Sequence, residues 1–257
     1  MKGLFVLFIC VVFTLCVVPV AKGDVPAAAE ALGGSPEYLF IEKLPEKEAM
    51  LMAELLTLAV YEGRAIIFQH VPKINNAELG DKGFTPEYFE AKLMERLKQN
   101  VEGLSPAQKR IFNKFIFAAK ISVSANQDRI NVKGVGFKYF LPATWGRETA
   151  MIFKAQTGII IKQTALLYRY PGNRPDDSEM KSLIKFTSPD YDKKTYGEIS
   201  TIGKQKVYRY YRPVYMVPGC LGCHGDPKGG KDVLGYEKDG LKVGDVRGVI
   251  SVAVPVQ

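Results

Sequence analysis

Cys220-Leu221-Gly222-Cys223-His224 puts two thiols three positions apart, with an imidazole directly after the second. That spacing tethers a c-type haem: each thiol adds to one vinyl group of the porphyrin, and the adjacent imidazole reaches the iron. Other chemistries fit less well. A structural zinc ion wants four ligands, usually two well-separated pairs, and outside the leader described below the chain offers Cys220, Cys223, His224 and the distant His70. A thioredoxin-type dithiol wants its CxxC at a strand-to-helix junction. Here the motif sits between Pro218-Gly219 and Gly225-Asp226-Pro227, a loop dense in turn formers. A plain disulfide leaves His224 without a role.

With haem granted, His224 is the proximal iron ligand, and the distal side stays open. His70 is the other histidine, and it continues the apolar stripe of the first expected helix. A histidine so placed is ordinarily a hydrogen-bonded core residue, but imidazole is also a common iron ligand, so His70 is a candidate distal ligand. Met50, Met52, Met94, Met151, Met180 and Met216 are the alternatives. Among the strand aromatics, Tyr211 and Tyr215 are candidates for packing on the porphyrin, with ordinary core packing as the competing role.

The first 23 residues read as an export leader. Lys2 is its positive end, Leu4 to Val20 is almost wholly apolar, and Ala21-Lys22-Gly23 carries the small residues of a cleavage site. Cys10 and Cys16 fall inside it. Covalent haem attachment takes place outside the cytoplasmic membrane, so leader and motif agree on a periplasmic or otherwise exported protein; membrane association enters if the leader stays uncleaved. Removing Lys2 and Lys22 from the 35 basic residues leaves 33 against 27 acidic, a net +6. Such a surface suits an acidic redox partner. The lysines are scattered, with no basic-aromatic tract of the nucleic-acid type.

The elements that must position the motif divide by period. Residues 24–157 read as mainly helical. Pro45 opens a helix with Met52, Leu55, Leu56, Ala59, Val60, Ile66 and Ile67 on one face, ending just beyond His70 at Pro72. Thr85-Pro86 and Ser105-Pro106-Ala107-Gln108 start two more, and a shorter one spans Trp145 to Lys154. Residues 158–257 read as strands: Gly158 to Arg169, Leu183 to Thr187, Gly197 to Ile202, Lys206 to Met216 and Val246 to Val256, with a hairpin turn at Gly203-Lys204-Gln205. The expectation is an α+β fold, one domain over 24–257, with an antiparallel sheet of about five strands and the motif loop between two of them.

Several segments resemble the c-type haem PAS-like domain family. Arg169-Tyr170-Pro171-Gly172-Asn173-Arg174-Pro175 with Glu179 is similar to its RNP-x-N-x-P-x-x-x-E pattern, with tyrosine at 170 in place of asparagine. Cys220 to Gly229 resembles CxxCHG-x-PKG, and Gly244-Asp245-Val246-Arg247-Gly248-Val249-Ile250-Ser251 resembles the closing G-D-x-x-G-x-I-S strand. The resemblance implies a PAS-like sheet with a long helical N-terminal part and one covalent haem c. It makes Asn173 and Arg174 candidates for contacts to the haem propionates or for fixing their own loop. It implies no reaction, since family members divide between electron carriers and signal inputs. The expected function is an exported monohaem cytochrome that passes single electrons and is not an enzyme; the alternative is a redox or gas sensor acting through a separate partner.

Overall fold

Pro45 precedes α1 (Glu46–Ile74), whose first turn carries Glu46 and Glu48 at the positive end of the helix dipole. The computed structural model describes residues 42–191 and 194–257, and these fall in one compact unit. The leader expected over residues 1–23 lies outside them. α1 continues through Pro72 to Ile74, two residues beyond the expected end. A proline in the last turn costs one hydrogen bond where few remain to be lost.

α2 (Pro86–Val101) is capped by the Thr85 hydroxyl, and α3 (Pro106–Ala125) by a full Ser105–Gln108 capping box, each worth about 1 kcal/mol. A single-turn α4 (Gln127–Asn131) follows, then α5 (Pro142–Thr157), which ends on the left-handed Gly158. The long apolar stripes of α1, α2, α3 and α5 share one core, with Trp145, Phe89, Phe115 and Phe153 fully buried at its centre.

β1 (Ile160–Thr164), β2 (Tyr196–Ile202), β3 (Gln205–Tyr215) and β4 (Val246–Pro255) form an antiparallel sheet in the order β1-β4-β3-β2. Gly203, at φ +58°, makes the two-residue turn between β2 and β3. β4 is central. Its Ile250, Val252 and Val254 enter the helical core, while Val249 packs on the opposite face with Leu183 and Phe186. This alternation buries both faces of the strand and explains its nearly continuous apolar run.

The fold is therefore α+β, as expected, with one correction. The fifth expected strand, Leu183 to Thr187, is part of α6 (Asp177–Thr187). Asp176 and Glu179 close a capping box there, and Glu179, Ser182, Leu183 and Phe186 are buried at helical spacing. None of the helices among the described residues is long and apolar enough to cross a membrane.

Candidate haem site

The CxxCH segment leaves the end of β3 and returns to β4. Cys220 ends a 3-10 turn, and α7 (Leu221–His224) carries the rest. The loop lies directly on α1: a Cβ on Gly219 would stand 2.6 Å from Phe68 Cζ, so this close approach requires glycine. Both cysteines are free and half-buried. Burial, followed by the Asp232 carboxylate, pushes the Cys223 thiol above its ordinary range. A redox-active CxxC shows the opposite shift, toward thiolate.

His224 is held by charge. Its Nδ1 lies 2.5 Å from Asp239 Oδ2, which accepts the ring proton and fixes the tautomer that leaves the Nε2 lone pair for a metal. Arg247 lies beside the ring, its Nε 2.9 Å from Nδ1 and 3.4 Å from Nε2, and it pairs with the same carboxylate oxygen at 3.2 Å. Burial, with Arg247 and Arg169 nearby, pushes the imidazole down to about 4 despite Asp239, so it is neutral at physiological pH. Arg169 pins the loop from the other side. Its guanidinium pairs with Asp232 at 2.5 Å and donates to the carbonyls of Cys223 (2.7 Å) and Glu237 (3.2 Å).

Cys223 and His224 open into a cleft of about 490 Å³, within the range of cofactor sites. Its walls come from α1, α4, the start of α5, β1 and the two loops that flank β4. Five arginines line it (Arg64, Arg129, Arg147, Arg169 and Arg247), and no carboxylate does. The neighbouring cavity, by contrast, has Asp176 and Glu179 in its wall. Arg129 and Arg147 form no ion pair among the described residues; Arg147 lies 4.7 Å from the centroid of the Tyr170 ring. Arg64, on the inner side of α1, donates to Gln163, whose amide is tied in turn to the Ala143 carbonyl. Burial lowers the Arg64 guanidinium to about 10, which leaves it charged. Tyr139, at the mouth, has φ +58°, a strained backbone for a non-glycine residue and of the kind that clusters at ligand sites.

The residues present fit a covalent haem. Arg169 Nε is buried in this cleft without a hydrogen-bond partner, a donor waiting for an acceptor. The carboxylate-free basic wall suits a dianionic group, and the free thiols stand beside an imidazole with one nitrogen committed. No group of three or more His, Cys, Asp or Glu is gathered as a bare-ion site among the described residues.

The structure brings some expected site residues together and leaves others out. Cys220, Cys223 and His224 share the attachment loop, and Asn173 lines the cleft, with its carbonyl accepting from Thr164. Arg174 is exposed and outside it, because the 3-10 turn at Pro171–Asn173 directs the next residue to solvent. Tyr211 is buried on the far face of the sheet, bonded to Ser178 and Glu198; β-alternation sends it away from the cleft. Tyr215 is exposed after the bulge at Val214/Tyr215. The aromatic lining comes instead from Tyr139, Tyr168, Tyr170 and Tyr236. His70 does not line the cleft: its Nδ1 donates to the Ile66 carbonyl and its Nε2 accepts from the Tyr88 hydroxyl. None of the methionines lines it either, among the described residues.

Sequence reading missed Asp239, Arg64, Arg129 and Arg147. Only folding gathers these positions, and one signal was available: Asp239 and Arg247 lie in the segment that closes the loop after the motif.

A family model described as Tll0287-like matches residues 98–255. The crystal structure of the cyanobacterial heme-protein Tll0287 is similar over 63% of this chain and 95% of that one, at 20% identity and a TM-score of 0.39. No curated protein matches.

Proposed function

We propose that this chain, which belongs to the Tll0287-like family, is an exported monohaem c-type cytochrome that exchanges single electrons with a protein partner. One observation carries the reading: His224, fixed through Nδ1 by Asp239, stands beside two free thiols in an arginine-lined cleft without carboxylates. Cys220 and Cys223 hold the porphyrin as thioethers, and His224 ligates iron through Nε2. Arg129 and Arg147, with Arg169 Nε, take the propionates. When bound, haem supplies reversible one-electron chemistry: the iron gains an electron from a reduced donor and gives it to an acceptor. Lys228 and Lys231 are exposed beside the attachment loop, and with the net positive charge they favour an acidic partner in the periplasm.

The same cleft supports a second reading, a haem-based sensor, because His70 is engaged elsewhere and does not line it. The test of the first reading has two parts. The exported protein should keep its haem through a denaturing gel, and a Cys220→Ala, Cys223→Ala double variant should lose it completely. A potentiometric titration should follow a reversible one-electron curve. A wild-type chain that carries no gel-stable haem, or binds zinc in its place, overturns the proposal.

A further inference from the structure

The arginines of the cleft outnumber the carboxylates that haem brings. Arg169 and Arg247 are neutralised by Asp232 and Asp239. Arg64, Arg129 and Arg147 have no carboxylate partner among the described residues, while haem carries two propionates. Arg129 is exposed and Arg147 half-buried against Tyr170, as suits groups meeting propionates near solvent. Arg64 differs. It projects from the inner face of α1, and its partner is the neutral amide of Gln163, which orients the guanidinium without cancelling its charge. Gln163 is itself held by the Ala143 carbonyl at 3.1 Å, so the fork is kept in place by a chain of neutral hydrogen bonds. A half-buried guanidinium without a carboxylate partner is completed favourably by an anion. Among the described residues, His224 is also the single imidazole or thioether lining the cleft.

We infer that Arg64 and Gln163 form a binding position for a small exogenous anion in the haem cleft, so that the cofactor's ligation and potential respond to a solute. Charge-assisted bonds from a guanidinium fork are the strong class of hydrogen bond, and ferric haem adds its own attraction for an anion. This rests on the haem reading above and specifies what the cleft takes besides the haem.

The probe is azide, titrated against the oxidised, covalently loaded protein and followed in the visible absorption spectrum. The wild type should show a saturable shift. Arg64→Gln should weaken azide binding at least about tenfold, the loss expected for one charge-assisted contact. Arg64→Lys, which keeps the charge and the helix position, should recover part of that loss and covers the case in which Arg64→Gln fails to fold. His70→Ala and Lys133→Gln, the latter at an exposed lysine, should bind azide as the wild type does. A haem-loaded protein whose spectrum azide does not move overturns the inference and leaves the cytochrome reading standing. Equal affinity in wild type and both Arg64 variants overturns it too, as does a matching loss in Lys133→Gln, which would make the effect one of overall charge. A chain without covalent haem overturns both readings.

Discussion

The two histidines of this chain stand near helix ends in two regions that treat an imidazole oppositely. At the end of α1, His70 meets neutral partners: Ile66 accepts its Nδ1 proton at 2.8 Å, Tyr88 donates to Nε2 at 2.9 Å, and Phe84 packs 4.9 Å from its ring. In the attachment loop, His224 meets charged ones, a carboxylate on Nδ1 and a guanidinium beside the ring. The first arrangement uses both nitrogens in neutral hydrogen bonds; in the second a carboxylate takes Nδ1, and Nε2 has only the Arg247 guanidinium, at 3.4 Å. Readiness to bind a metal is decided by which nitrogen the fold leaves uncommitted, and a carboxylate on the other nitrogen is the device that commits it.

The sharpest break of that contrast is His224→Ala. The haem should stay attached through its thioethers but lose the imidazole signature in its absorption spectrum, and added imidazole should restore it. An unchanged spectrum would mean that another residue ligates iron. Next in size is Arg169→Leu, which strands the buried Asp232 carboxylate and two carbonyls; removing one partner of a buried pair costs about 3 kcal/mol. Urea unfolding reads this. Burial alone would raise the Asp232 carboxyl, yet the amides of Leu234 and Tyr236, together with Arg169, hold it below the usual carboxylate range. Its share of stability is therefore present above about pH 4 and is lost as the pH falls through its depressed folded value. The wild-type and Arg169→Leu stabilities should differ most at neutral pH and converge toward acid. A gap that stays constant with pH would show that Arg169 acts through packing and not through its charge.

A smaller effect belongs to Asp239→Asn, which keeps the shape around His224 and removes the charge. Outer-shell partners of this kind are worth about 10- to 100-fold in metal affinity. Acid competes with iron for Nε2, so a bond weakened by that factor should break about 1 to 2 pH units higher when the holoprotein is titrated to low pH and followed by absorption. No displacement of the acid midpoint would assign the orientation of His224 to Arg247 alone.

How much of this was legible in the sequence depends on the range over which each signal acts. The motif that carries the proposed attachment is fully local: Cys220, Cys223 and His224 sit within five residues, and the fold keeps them together on one loop. The α1, α2 and α3 starts were local too, since Pro45 opens its helix and Thr85 and Ser105 cap theirs. Leu183 to Thr187 reads as a strand because it is a short run rich in β-branched and aromatic residues; the capping box at Asp176 and Glu179 decides for helix from outside that window. The facing of Tyr211 depended on β-register, which a single residue of shift reverses. The arginine wall drew on α1, α4, α5, the loop after β1 and β4, segments separated by up to 183 positions between Arg64 and Arg247. No short pattern marks such a gathering. The apolar stripe points His70 toward the core, and which neighbours it meets there is decided by packing: Tyr88 and Phe84 on the α2 side of α1.

The mildest change is His70→Ala, and it tests the contrast from its other end. The ring gives one hydrogen bond to a hydroxyl, one to a carbonyl that already serves the helix, and half-buried packing on Phe84. Losing these should cost about 1 kcal/mol in urea unfolding. Tyr88→Phe, which removes the hydroxyl alone, should cost less. Neither change should move the haem bands in either oxidation state, because neither nitrogen of His70 is available to iron while Ile66 and Tyr88 hold them. If His70→Ala instead abolished a low-spin spectrum, α1 would have to turn its last two turns toward the cleft when haem binds, breaking both hydrogen bonds of His70 and the contact of Phe68 with the loop. The two histidines would then be a ligand pair.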